Sequence, residues 1–248
     1  MKKIIIIGAS SGLGMRVASD FARMGWRVGI AARRLDRLEE LKAQFPSNME
    51  AMAIDVAAPD AARRFEDLIE LIDGMDVLLY AAGTGWRNPE LDPAKDARTV
   101  DVNVKGFTAI VSAAFNYYAR TANRLPGQIA VLTSVAGAKG LGVSAAYSAS
   151  KRYQWNYLTA LDQLAHARHV NVRITDIRPG FIDTALLEQD PNKDSLPLLM
   201  SVDYAAPLIE KAILKQKRVA YIDSRWAVVT ALMKAVPSPL WRHISFDL

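Results

Sequence analysis

The chain has 248 residues, a formal net charge of +5 and no cysteine. That length suits one large α/β domain with a sizeable core, and the ordinary share of hydrophobic and charged residues argues against disorder. Disulfides, thiolate catalysis and cysteine-zinc sites are excluded, and three scattered histidines offer no metal site.

The opening "MKKIIIIGAS" carries two lysines and four isoleucines. The apolar run is shorter than the ~7–15 residues of a secretory h-region, so it reads as a buried first strand over 3–7. Leu13–Met24 follows with a helical apolar stripe and a stop at Gly25. A strand over 27–31, a charged-faced helix over 35–45, a strand over 50–54, a helix over 58–72 and a strand over 76–81 come next. Then follow a helix over 100–120, a strand over 128–133, a helix over 147–167 and a strand over 171–177. Residues 120–128 form a surface loop. After Pro179-Gly180 lies a looser region to Met200, then a helix around 204–215 and a strand over 219–222. Continuous apolar strands separated by helices predict a doubly wound α/β domain, a parallel sheet with helices on both faces. No repeat or linker divides it, so residues 1–248 are expected to form one domain.

The positive balance has no basic stripe and no nucleic-acid motif, so nucleic acid is not expected as a partner. It favours a small anionic ligand instead. No segment approaches ~18 apolar residues, and a cytoplasmic enzyme is the default expectation.

Gly8, Gly12 and Gly14 in "GASSGLG" lie between the first strand and first helix, with Ser10, Ser11 and Leu13 in the same loop. Glycines let backbone approach a pyrophosphate at a helix N-terminus. The spacing G-x-x-x-G-x-G differs from the common dinucleotide fingerprint, and an unliganded glycine turn is the other reading. The second strand ends "GIAARR". An acid at that position selects NAD, but Ala32 is neutral and Arg33 follows. An arginine grips a 2′-phosphate, so Arg33, with Arg34 beside it and help from Ser10, favours NADP(H) over NAD(H). Alternatively both arginines are solvated residues opening a helix.

Tyr147 and Lys151 share one helix face at i and i+4. An ammonium near a phenol favours phenolate, which predicts a lowered tyrosine pKa. Ser144, Ser148 and Ser150 read as local hydrogen-bonders or caps.

"GASSGLG", "DV" at 55–56, "YAAG" at 80–83, "DVNVKG" at 101–106, "LTSVAG" at 132–137, "YSASK" at 147–151 and "RPGFIDT" at 178–184 stand in order from Gly8 to Thr184. Together they resemble the short-chain dehydrogenase/reductase family, in its simple single-domain form. The resemblance implies a Rossmann-type seven-stranded parallel sheet and hydride transfer between a nicotinamide and a small-molecule carbonyl or alcohol. It implies that Tyr147 protonates the carbonyl oxygen, Lys151 tunes Tyr147 and holds the ribose, Ser134 hydrogen-bonds the substrate oxygen, and Asn103 positions a water near Lys151. It also implies cofactor contacts from Asp55 and Val56 at the adenine and from Ala81, Ala82 and Gly83 at the ribose. Pro179, Gly180, Ile182 and Thr184 would shape the nicotinamide pocket. Tyr80 departs from the family's asparagine, which puts local packing in doubt.

Residues 185–200 are the expected substrate loop. Leu186, Leu187, Leu196, Leu198, Leu199 and Met200 form either an apolar lid suited to a hydrophobic substrate or part of the core, and Trp86 is placed on the opposite wall. Residues 224–248 form a C-terminal extension with an apolar helix, two prolines and a Trp-Arg-His cluster. It is read as an interface, a flap or a peripheral membrane contact. The resemblance also implies a homodimer or homotetramer through the helices of 100–120 and 147–167. An epimerase or dehydratase that retains its cofactor, and a non-catalytic NADP(H)-binding protein, are the alternative functions.

Overall fold

The computed structural model describes residues 1–121, 126–188 and 193–244. The strands are β1 Lys3–Ile7, β2 Arg27–Ala32, β3 Met49–Ala53, β4 Val77–Tyr80, β5 Gly127–Leu132, β6 Val172–Pro179 and β7 Val219–Ile222. They form one parallel sheet in the order β3-β2-β1-β4-β5-β6-β7. The helices are α1 Gly12–Arg23, α2 Leu35–Lys42, α3 Ala61–Leu71, α4 Pro93–Val100, α5 Phe107–Arg120, α6 Ala145–Ala167, α7 Val202–Leu214, α8 Arg225–Ala235 and α9 Ser238–Trp241.

The four isoleucines of β1 show why the strand reads as uniformly apolar. Side chains alternate across a sheet, so Ile4 and Ile6 enter one core with Val17, Phe21, Leu38 and Ile209. Ile5 and Ile7 enter the other, with Phe65, Leu68, Phe107 and Ile110. Both faces are covered, as a parallel sheet requires. The strand order reverses between β1 and β4, which opens a crevice at their carboxyl ends, the usual ligand position in such sheets.

The expected helix over 100–120 is three pieces. Asp92 accepts from the Ala94 amide at 2.9 Å, and Pro93 opens α4, whose start the apolar periodicity did not reveal. A π turn, Asp101–Gly106, separates α4 from α5. The helix expected from residue 58 begins at Ala61, because residues 58–60 form a turn.

Part of the expected substrate loop, residues 189–192, lies outside the described residues, as do residues 122–125 of the surface loop and residues 245–248 of the C-terminal extension. Within the rest, Leu196 and Met200 are buried and Leu198 packs on the core, whereas Leu186 is exposed. The core reading holds for these three leucine and methionine positions. Met200 is drawn in by a parallel bridge to Ile182.

Candidate active site

The glycine loop is shaped by close approach. Gly8 has φ +97°, and a Cβ there would stand 2.5 Å from the Ala82 amide nitrogen. Gly14 faces the Gly8 carbonyl so closely that a Cβ would overlap it, which lets α1 start directly against the loop. Gly12 has φ +56° and would place a Cβ 3.3 Å from the Thr184 side chain. Thus Thr184, far away in sequence, closes over the loop. The first turn of α1 holds no acid, and Ser11 makes no side-chain cap. The unpaired first-turn amides of a helix that follows such a glycine loop suit a phosphate.

The two arginines after β2 separate. Arg34 bridges the loop, with its Nη2 3.0 Å from both the Ser10 and Ser11 hydroxyls. Arg33 is exposed and makes no hydrogen bond or ion pair among the described residues. The arginine assembled with the glycine loop is therefore Arg34, although Arg33 was the favoured phosphate ligand. The reason is the backbone turn at Arg34, which caps α2 in extended conformation and aims its side chain back over the loop. Ala32 ends β2 with its side chain buried in the core.

Asp55 follows β3. One carboxylate oxygen accepts from the Ala57 amide at 3.0 Å and the other lies 3.5 Å from Arg98 Nη2 on α4. Val56 packs beneath, and Gly106 sits so near that a Cβ would stand 2.6 Å from the Val56 carbonyl. Beyond β4, Gly83 leaves an opening between two functional groups. A Cβ there would stand 3.4 Å from Lys151 Nζ and 3.6 Å from Asn103 Oδ1.

Four elements meet at the carboxyl ends of β4 and β5. Ser134 stands two residues beyond the end of β5 and caps a short 3₁₀ turn, accepting from the Ala136 amide at 3.1 Å. Tyr147 and Lys151 project from α6, with Lys151 Nζ 5.7 Å from the Tyr147 ring centroid. Lys151 is buried and donates to the Leu132 carbonyl at 3.1 Å and to Gln154 Oε1 at 3.2 Å. Gln154 in turn donates to the Asn103 carbonyl at 2.9 Å. Asn103 lies in the π turn, a helical irregularity that is often found at functional sites. Its side chain clasps Thr84, accepting from the amide at 2.9 Å and donating to the carbonyl at 2.7 Å, and it also donates to Ser150 Oγ at 3.0 Å.

Several participants here carry no sequence signal of their own. Thr84, Ser150 and Gln154 link α6, the π turn and the β4 loop. Ser150 is a local hydrogen-bonder, donating to the Tyr147 carbonyl at 2.7 Å, yet it also meets Asn103. Ser148 is local only, bonded to Ala145 and Leu141. Ser144 caps α6 without a side-chain bond. Gly85 lies flat against the Tyr147 ring, where a Cβ would overlap it.

Tyr80 resolves the doubt about packing at its position. It is fully buried, packs edge-on against Phe107 at 5.5 Å and donates to the Val102 carbonyl at 3.1 Å. It thereby ties β4 to the π turn that carries Asn103. Burial raises the pKa of its phenol, so it stays a donor.

Electrostatics at Tyr147 and Lys151 differ from the sequence expectation. Burial raises the Tyr147 pKa above its ordinary value, and hydrogen bonding to Ser134 opposes that rise. Burial lowers Lys151 to about 8, with Asp176 opposing. The ammonium faces the tyrosine ring and spends its donors on Leu132 and Gln154. The expected lowering of the phenol by Lys151 is therefore corrected: in this site desolvation dominates both groups.

A buried polar cluster backs the catalytic segment. Trp155 Nε1 donates to Thr133 Oγ1 at 3.0 Å, and Thr133 donates to Asp176 at 2.6 Å. Asp176 pairs with Arg178 at 2.6 Å, and Arg178 stacks 3.7 Å from the Trp155 ring centroid. Thr133 immediately precedes Ser134, so this cluster fixes the end of β5.

Pro179 ends β6, and Gly180 lies against the Trp226 indole of α8, leaving no room for a side chain. The C-terminal segment continues over the same region. Trp241 Nε1 donates to the Gly140 carbonyl at 2.8 Å, between Ser134 and Tyr147 in sequence. Intrachain packing is thus one role of the extension. Among the described residues, no helix is long and apolar enough to cross a membrane.

The chain is similar to known proteins. The family model described as short chain dehydrogenase matches residues 2–195. An uncharacterized oxidoreductase of Myxococcus xanthus is 33% identical over 243 residues, covering 96% of this chain and 93% of its own. An uncharacterized oxidoreductase of Mycobacterium tuberculosis is 30% identical over 259 residues, covering 98% and 97%. Among solved structures, a short-chain dehydrogenase from Sphingobium yanoikuyae in complex with NADPH superposes with a TM-score of 0.78 at 20% identity, covering 100% of this chain and 99% of that one. A 3-ketoacyl-(acyl-carrier-protein) reductase from Brucella melitensis complexed with NADH gives 0.78 at 25% identity, covering 89% and 95%.

Proposed function

This chain belongs to the short-chain dehydrogenases, and from that premise we propose that it is an NADP(H)-dependent reductase of carbonyl compounds, acting reversibly on the matching alcohols. The observation that carries the reading is the meeting of Tyr147, Lys151, Ser134 and Asn103 at the carboxyl ends of β4 and β5, with Lys151 Nζ 5.7 Å from the Tyr147 ring centroid. A protonated phenol next to a second hydroxyl is equipped to give a proton to a substrate oxygen.

The residues present fit a nicotinamide dinucleotide. A side chain at Gly8 would strike the Ala82 backbone and one at Gly12 would press on Thr184, so the loop before α1 lies tight against the end of β4, where Gly83 stands beside Lys151 and Asn103. Gly8, Ser10, Ser11, Gly12, Leu13 and Gly14 would hold the pyrophosphate, Val56 and Asp55 the adenine, and Ala82 and Gly83 the ribose. Ile182 and Thr184 would meet the nicotinamide end. Such a cofactor supplies the hydride. Ser134 Oγ orients the substrate oxygen, Tyr147 delivers the proton, and Lys151, bonded to Leu132 and Gln154, would turn its remaining donor past Gly83 to the ribose hydroxyls. Asn103 holds the Thr84 loop, and Gln154 joins the π turn to Lys151.

Preference for NADP(H) is supported by Arg34 on the Ser10 and Ser11 hydroxyls and by the neutral Ala32. A homodimer or homotetramer through α5 and α6 belongs to the same proposal, supported by exposed Tyr153 and Leu164 on α6. So does a cytoplasmic location. The test is oxidation of NADPH against a panel of ketones and aldehydes. Wild-type turnover, lost in Tyr147→Phe with NADPH binding retained, is the expected result. A Tyr147→Phe protein as active as wild type overturns the reading.

A further inference from the structure

Helix α8 is apolar on both sides. Its inner face buries Trp226 and Thr230, with Val229 packed on the core. Its outer face presents Val228 and Leu232, one turn apart and each 64% exposed. Beyond the helix, Leu240 at 60% and Ile244 at 43% are exposed as well. A helix that is hydrophobic all round normally has both faces covered.

The charge around this surface selects the cover. From Ser224 to Ile244 there is no aspartate or glutamate, whereas Arg225, Lys234 and Arg242 are cationic. Arg225 is paired with Asp223. Lys234 is engaged with the Trp155 ring at 4.7 Å, and Lys139 lies 5.7 Å from the Trp241 ring centroid, adding a further cation at the same edge. Exposed aliphatic side chains, a tryptophan and basic residues with no acids suit the interfacial zone of an anionic bilayer, where apolar burial and attraction to headgroups act together.

We propose that the outer face of α8, with Leu240 and Ile244, docks the protein peripherally on an anionic lipid surface. Docking there places the bilayer beside the substrate side of the fold. Trp241 is pinned to Gly140, in the segment joining Ser134 to Tyr147, and Trp226 covers Gly180. The inference does not depend on the reaction proposed above, because binding to lipid is read without turnover.

The full chain is tested by co-sedimentation with vesicles of phosphatidylcholine alone and of phosphatidylcholine mixed with phosphatidylglycerol. The expected result is binding to the mixed vesicles at least about tenfold stronger than to phosphatidylcholine alone, weakened by high salt. Val228→Glu/Leu232→Glu, and separately Leu240→Glu outside α8, are expected to lose at least about tenfold of that binding while retaining NADPH binding. Wild-type protein that stays in the supernatant, or binds both vesicles equally, overturns the proposal. So does sedimentation velocity in which Val228→Glu/Leu232→Glu turns a wild-type oligomer into a smaller species, since the face is then a subunit interface.

Discussion

The Tyr80 hydroxyl donates to the Val102 carbonyl at 3.1 Å, from the end of β4 to the π turn that carries Asn103. Both groups are buried, and the π turn departs from ordinary α-helical bonding there. Tyr80→Phe leaves that carbonyl without its partner, at a cost of roughly 1–3 kcal/mol. The expected outcome is a lower urea midpoint with unchanged m-value, together with a fall in kcat because Asn103 and the Thr84 loop loosen. Unaltered stability would show that the tie contributes nothing.

Gly85 is the positioning residue most exposed to a one-carbon change. A Cβ at Gly85 overlaps the Tyr147 ring, so Gly85→Ala displaces the phenol. A misplacement of this kind lowers rate by about 10²-fold. NADPH affinity, read by fluorescence titration, should change little because the ring and not the glycine loop moves. Equal losses in affinity and kcat would assign Gly85 to the cofactor crevice instead.

Lys151 is held in place at the expense of stability. Its pKa falls from 10.5 to about 8 on burial. The unfolded chain therefore binds more protons than the native one between those values, and stability attributable to this group rises with pH across that window. Below about pH 8 the penalty of a buried ammonium is fully present. Lys151→Met is expected to be inactive yet more stable than wild type at pH 7 by about 1–2 kcal/mol, after loss of the bonds to Leu132 and Gln154. The advantage should shrink between pH 8 and 10.5 in urea melts of the cofactor-free protein. An advantage that grew with pH would reverse the sign of the assignment.

Arg34 and Arg33 are expected to differ in how strongly they hold NADPH. Arg34→Ala removes the guanidinium that sits on the Ser10 and Ser11 hydroxyls. It should weaken NADPH by about 10–100-fold, the scale of a charge-assisted contact to phosphate, and leave NADH nearly unchanged. Arg33→Ala should have a smaller effect on NADPH. Calorimetric titration of both variants with both cofactors measures this directly. A larger effect at Arg33 would return the phosphate role to that residue.

The local record was legible where physics acts over short sequence distances. The four isoleucines of β1, the glycine spacing after them and the i, i+4 relation of Tyr147 and Lys151 each mark their element without tertiary context. Most element bounds follow the pattern within a few residues. The break in the long helix at Asp101–Gly106 did not show, because a π turn adds a residue without changing the residue types around it.

Partners distant in sequence were less legible, since nothing local selects them. Arg34 rather than Arg33 reaches the loop because one backbone turn directs it there. Gln154 and Thr84 become site residues only when α6, the π turn and the β4 loop meet. Tyr80 replaces an expected asparagine by carrying its hydroxyl to Val102 from further away.

The sequence by itself determined the doubly wound sheet and the glycine loop, which depend on periodicity and residue size carried by each short segment, whereas the set of Tyr147, Lys151, Ser134 and Asn103 came with the resemblance to the short-chain dehydrogenases. Only the tertiary structure decided which arginine faces the loop, what clasps Asn103 and in which direction the paired pKa values move. It also decided which apolar side chains of the C-terminal segment stay uncovered. Desolvation, hydrogen bonding and exposure are set by all the elements packed around a group, and they come into being only when the chain has folded.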